Sequence, residues 1–132
     1  MSRSGYSDDL EPWDLIRWRG AVNSAIKGKR GQSFLREMAT ALDAMPEKKL
    51  IEGALVADMG EVCALGAVAV HRKMNVENLD PEDSERIAGE FDIAKALAKE
   101  IMAENDDVYF SEPPEKRWKR MRNWVESNLV KS

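Results

Sequence analysis

Few residues in this chain could do chemistry. Cys63 and His71 are the only cysteine and the only histidine. A nucleophile and its base must approach within about 3 Å. On one helix these two residues would stand about 12 Å apart along the axis, and on a strand farther still, so they form no dyad. One cysteine and one histidine also leave little for a transition metal. Carboxylates cluster at Asp80, Glu82, Asp83 and Glu85, and again at Glu104, Asp106 and Asp107. Neither group has the spacing of a calcium loop, and both read as solvated charge at helix ends. No Walker or dinucleotide glycine loop occurs, and no nucleophile elbow. The expectation is a non-enzymatic protein with no catalytic residue, no metal site and no cofactor.

Two segments invite comparison with nucleic-acid binders. Ile26-Lys27-Gly28-Lys29-Arg30-Gly31-Gln32-Ser33-Phe34 resembles the glycine-x-x-glycine loop of KH domains, where paired glycines let backbone approach phosphates. A KH domain needs a strand before its helix pair, and residues 1–11 do not read as one. The competing reading is an ordinary interhelical turn with solvated basic residues. The stretch Arg86 to Ile101 looks like a helix-turn-helix, with Phe91 and Ile93 bracketing the turn. Where that motif usually has glycine, this chain has Asp92. Its reading face would be Ala94, Lys95, Ala96 and Lys99, without the Arg, Asn or Gln that base readout favours. Glu90, Asp92 and Glu100 would repel phosphate. The helix-turn-helix geometry is expected; DNA reading is not.

The elements that must position these residues are mostly helical. Leu15, Trp18, Val22 and Ile26 recur at three- and four-residue spacing, predicting an amphipathic helix from Trp13 to about Lys27. Gly28 to Gly31 breaks the pattern. Leu35, Met38, Leu42 and Met45 form the next stripe, with Phe34 beside it, and Pro46 ends it. Residues 50–56 could be a short strand turning at Asp58-Met59-Gly60. Val62 to Val70 is apolar on every side, and its alanines favour a helix over about 63–73. Asp80-Pro81 reads as a helix start, with that helix running to about Gly89. Asp92 reads as the cap of another, with Ile93, Leu97 and Ile101 on one face. Pro113-Pro114 opens the last, whose stripe is Trp118, Met121, Val125 and Leu129, with Trp124 next to it. The fold expected is mostly α: a compact domain of about six helices over 12–132, one short β-hairpin near 49–63 as an option, and a flexible arm at 1–11. Leu42, Leu65, Ile93, Leu97, Ile101 and Val125 are expected in the core.

Composition narrows the function class. The chain has 132 residues, 43% hydrophobic and 33% charged, with a net charge of −4. That excludes a disordered acidic polypeptide and a uniformly basic nucleic-acid binder. The longest apolar run, Val62 to Val70, is far short of the ~20 residues that span a bilayer. No apolar run follows a basic start, so a cytoplasmic protein without a secretory signal is expected. Charge is segregated, however. Residues 51–107 carry five basic and fourteen acidic side chains, whereas Arg17 to Arg36 holds six basic residues and no acid. Lys116, Arg117, Lys119, Arg120 and Arg122 crowd the last helix. Either the basic ends fold against the acidic middle, or a basic patch meets an outside partner.

Several stretches are distinctive: Ser2 to Tyr6, Arg19 to Val22 leading into Gly28 to Gln32, Ala41 to Pro46, Val62 to Val68, Glu100-Ile101-Met102, Glu104-Asn105-Asp106 and the run from Glu115 to Val125. In these the chain resembles a family of small uncharacterised proteins encoded by tailed phages and prophages of Gram-negative bacteria. The resemblance implies a phage gene product acting in host cytoplasm, and it carries over no site residues. Partner contact is expected through Arg17, Arg19, Lys27, Lys29, Arg30 and Arg36, on a protein with an acidic surface. Nucleic acid, met by the strip 17–36 and the helix-turn-helix-like element 82–103, is the second reading. No membrane contact is expected, and the oligomeric state is left open.

Overall fold

A computed structural model describes residues 12–57, 59–106 and 112–130, with backbone alone for 12–15. The expected arm at 1–11 lies outside the described residues. Among the described residues six helices form: α1 (Pro12–Lys27), α2 (Lys29–Ala44), α3 (Ala64–Arg72), α4 (Ser84–Phe91), α5 (Lys95–Asp106) and α6 (Pro114–Asn128). The fold is all-α, as the periodicity predicts. The six residues expected in the core are all buried.

The joint between α1 and α2 is tighter than Gly28 to Gly31 suggests. Gly28 alone separates the helices, with φ −69° and ψ 161°. Gly31 lies inside α2, where a Cβ would come within 1.9 Å of the Ala25 carbonyl oxygen. The second glycine is thus explained by helix–helix contact, and no loop of the KH type exists there. Gln32, buried beside it, donates to the Ile26 oxygen at 2.8 Å and to the Asn128 oxygen at 2.9 Å. It ties the end of α1 to the end of α6.

The expected hairpin shrinks to one antiparallel bridge, Val56 with Val62. The limbs still meet, since Ile51 N–H donates to the Val62 oxygen at 2.9 Å, Cys63 N–H to the Leu55 oxygen at 3.1 Å and Ala57 N–H to the Glu61 oxygen at 2.7 Å, but they form no continuous ladder. Leu50 N–H donates to the Pro114 oxygen at 3.0 Å, outside any hairpin, and Gly53 turns the chain with φ 82°. The returning chain enters α3 through Cys63, whose Sγ accepts from Gly66 N–H at 3.4 Å. Gly66 must be small, since a Cβ would meet the Leu55 oxygen at 1.8 Å. At the far end Lys73 adopts φ 61°, and Met74 N–H reaches back to the Ala69 oxygen at 2.8 Å, closing the helix carbonyls in a Schellman arrangement.

Two helix boundaries differ from the sequence reading. Asp80 does not start α4: it accepts from Glu82 N–H at 2.9 Å in a preceding turn, and Asp83 takes the cap, accepting from Arg86 N–H at 3.1 Å. Both aspartates have the chemistry to cap, and the later one wins. Asp92 does not cap α5. It terminates α4, which runs past Gly89 to Phe91, in the left-handed conformation at φ 58°. Aspartate tolerates that region better than most residues, so it stands in for the glycine of a helix-turn-helix.

The core is organised around α5, which packs against α1, α3, α4 and α6, while α2 packs on α1, α3 and α6. Phe34 and Phe91 meet edge to face at 5.9 Å. The Arg72 guanidinium lies over both rings and pairs with Glu37, clamping α2, α3 and the end of α4.

Candidate functional site

The six basic residues of the strip divide by helix. On α1, Val22 and Ile26 face inward, and Arg17, Arg19 and Lys27 are exposed. On α2, Lys29 and Arg30 occupy the first turn and Arg36 lies two turns on, all exposed. Lys27, Lys29 and Arg30 are thereby gathered around the Gly28 joint. Lys29 and Arg36 share one face of α2, about 10 Å apart along its axis. Arg17 stands near the other end of α1, about 15 Å from Lys27 along the axis.

Arg19 and Arg30 are engaged by the acidic middle of the chain. Arg19 Nη1 lies 3.1 Å from Glu100 Oε2, its side chain 58% exposed and that of the glutamate 8%. Arg30 Nη1 lies 3.5 Å from Asp92 Oδ1, with both side chains largely exposed. The first contact fixes α1 on α5. The second, open to water, contributes little. Among the described residues Lys27, Lys29 and Arg36 have no ion pair. The start of α2 carries no acid and no side-chain cap. Two cations there oppose the helix dipole, which favours negative charge at a helix N-terminus by about 0.3–1 kcal/mol.

The basic residues of α6 behave otherwise. Arg117 is 3% exposed. Its guanidinium donates to the Asn105 and Leu50 oxygens and lies 3.6 Å from Glu112. Arg120 makes a two-pronged contact with Glu112, 2.9 Å on each side, and this holds the Glu112 carboxyl below its usual range. Arg122 does the same to Asp43, at 2.9 and 3.0 Å. Three of the five basic residues that crowd α6 are thus consumed by the fold. Glu104 runs opposite: burial, and then the charge of Glu100, raise its carboxyl.

The other candidates resolve structurally. Cys63 is buried as the cap of α3, and His71 is exposed in the last turn of the same helix. The helix-turn-helix shape of α4 and α5 is present, but α5 buries Leu97, Ala98, Glu100, Ile101 and Met102 in the core. The face that would read bases keeps Lys95 exposed and Ala94, Ala96 and Lys99 half-buried, with the Lys99 ammonium over the Trp18 ring at 5.3 Å. Among the described residues no group of three or more His, Cys, Asp or Glu side chains could hold a metal ion. No described helix is long and apolar enough to cross a membrane. Nothing in the periodicity marks Met59 and Val70 as surface residues, yet they are 87% and 58% exposed. The available signal is an apolar side chain at the apex of a turn, beside Gly60.

No protein-family model, no curated protein and no solved structure matches the chain.

Proposed function

We propose that this chain is a non-enzymatic, phage-type accessory protein. In this reading it acts in the host cytoplasm by docking its α1–α2 basic face on an acidic surface of another protein. The setting rests on the resemblance to phage and prophage proteins. The mode of action rests on one observation. The cations of α6 that carry the ion pairs serve the fold, while Lys27, Lys29 and Arg36 are exposed and have no ion pair among the described residues. Lys29 at the unfavourable start of α2, with Lys27 and Arg36 exposed on the helices beside it, fits a surface kept for an outside anion.

An acidic protein suits the face better than nucleic acid does. The outer face of α5, which a helix-turn-helix would insert, offers Lys95, Ala96 and Lys99, without the Arg, Asn or Gln that base readout favours.

The test replaces Lys27, Lys29 and Arg36 together with glutamate and compares capture of proteins from expressing host cells with capture by the unaltered chain. The captured partner is then titrated against both chains at rising salt. The reading expects a partner lost on charge reversal and weakened by salt, because exposed charge contacts are screened. Equal capture by both chains refutes it. A salt-dependent mobility shift with DNA or RNA, abolished by the same substitutions, would put nucleic acid in its place.

A further inference from the structure

A second surface lies away from the basic strip. The end of α2, Ile51 and the residues 59–62, α3 and the start of α6 enclose an open groove of about 890 Å³. Met45, Ile51 and Val62 form its apolar lining, and Met59 and Val70 stand exposed along it. Large apolar side chains that water can reach, gathered on one concavity, mark an interaction site more often than chance exposure. Methionine adds adaptability, since its unbranched thioether repacks around different shapes.

The charge around the groove has a sign. Glu47, Glu61 and Glu115 line it, against Lys49 and His71. Lys49 lies 3.7 Å from Glu115 and is partly neutralised there. Neighbouring Lys48 turns its ammonium onto the Asp43 and Met45 carbonyl oxygens at the end of α2. The carboxylates of Glu47 and Glu61 carry no such ion pair among the described residues.

We infer that this groove docks a basic amphipathic segment of another protein: a few bulky apolar side chains on one face, flanked by lysine or arginine. The volume falls within the roughly 300–1,000 Å³ that binding clefts occupy. The apolar lining takes the hydrophobic face, as in helix-in-groove recognition. The glutamates select the sign of the flanking charge. A phosphate-bearing or acidic ligand would meet those carboxylates and be refused.

The test uses the full chain and fluorescence anisotropy with two labelled peptides, one amphipathic in leucine and lysine, the other with glutamate for every lysine. The first should bind and the second should not. Met59→Gln with Val70→Gln should weaken the leucine–lysine peptide by about tenfold. Both side chains are exposed, and circular dichroism checks that the helices persist. Glu47→Lys with Glu61→Lys should weaken it by a similar factor, less so at high salt. These substitutions leave the basic strip untouched, so this inference and the proposed function fail separately. Equal binding of both peptides, or affinity unchanged by either pair of substitutions, overturns the inference. So does sedimentation as a dimer that Met59→Gln with Val70→Gln converts to monomer, which would give the groove to a second copy of the chain.

Discussion

Arg117 closes the last turn of α5 by donating from Nε to the Asn105 main-chain oxygen at 2.9 Å. The Asn105 side chain meanwhile accepts from Ala64 N–H at 3.1 Å, at the start of α3, and donates to the Ile51 oxygen at 2.9 Å. One buried cation and one buried amide thus serve the end of α5, the start of α3 and the irregular segment between α2 and α3. Removing the cation would leave the Asn105 and Leu50 carbonyls without their donor, while Glu112 keeps its two bonds from Arg120. Arg117→Met should cost about 2–5 kcal/mol, since each buried acceptor left without a donor costs about 1–3 kcal/mol. Arg117→Lys should not restore it, since a single ammonium lacks the fork that reaches several acceptors. Urea unfolding of the two variants checks both statements.

Two glycine substitutions should have opposite signs. Gly31→Ala drives a methyl into the Ala25 carbonyl and should destabilise by at least about 1–3 kcal/mol. Gly89, near the end of α4, has nothing within 4 Å of a built Cβ. Gly89→Ala should stabilise by about 0.5–1 kcal/mol, because alanine loses less backbone freedom in a helix. Thermal melting of the pair decides whether the α1–α2 crossing is as close as described.

Leu97 is fully buried in the first turn of α5. Leu97→Ala should lower the unfolding free energy by about 2–5 kcal/mol, the range for leucine truncation in a core that cannot collapse. A loss under about 0.5 kcal/mol, typical of a surface position, would mean α5 is turned the wrong way.

Acid should destabilise the fold. Glu37, Asp43 and Glu112 are held below their usual values, chiefly by hydrogen bonds from Arg72, Arg122 and Arg120. A carboxyl lowered in the folded chain adds stability above its unfolded value, and that stability is lost as pH falls through the folded value. Glu104 is raised above the ordinary 4.5 by burial and by Glu100. Its contribution is present below 4.5 and is lost as pH rises through the folded value. Three groups against one give a net decline on going below about pH 4. Glu104→Gln removes the opposing group, so it should raise the melting midpoint more at pH 7 than at pH 4. Equal gains at both would contradict the assignment.

Helix number and core membership were legible because apolar stripes at 3.6-residue spacing record burial directly. Polar residues inside those stripes were harder to read. Arg117 falls four residues before Met121 and eight before Val125, on the stripe that is buried. Asn105 likewise continues Leu97 and Ile101. Position alone could have placed both inside. Charge and polarity argue against it, and only the carbonyls and acids of distant segments make burial favourable. The same limit governs the basic strip. Nothing local distinguishes Arg19, which reaches Glu100, from Lys27, which has no ion pair among the described residues. Asp80 and Asp83 are equally good caps in isolation, so packing rather than local chemistry chose between them.

The Gly28 joint leaves the chain one bond rotation from another shape. Its φ of −69° is already helical, and ψ, at 161°, is the only angle that is not. Turning ψ to about −40° would fuse α1 and α2 into a single rod from Pro12 to Ala44, about 50 Å long. That rod would lift Val22 and Ile26 off the core and pull Arg19 from Glu100. Burial of those two side chains, roughly 1.5–3 kcal/mol each, acts with the Gln32 bonds to the Ile26 and Asn128 oxygens and the pair to Glu100 to keep the elbow bent. Weakening them would not simply loosen a helix; it would free a long arm whose apolar stripe could be covered by the core of a neighbouring copy, the route by which compact monomers exchange elements and become intertwined dimers.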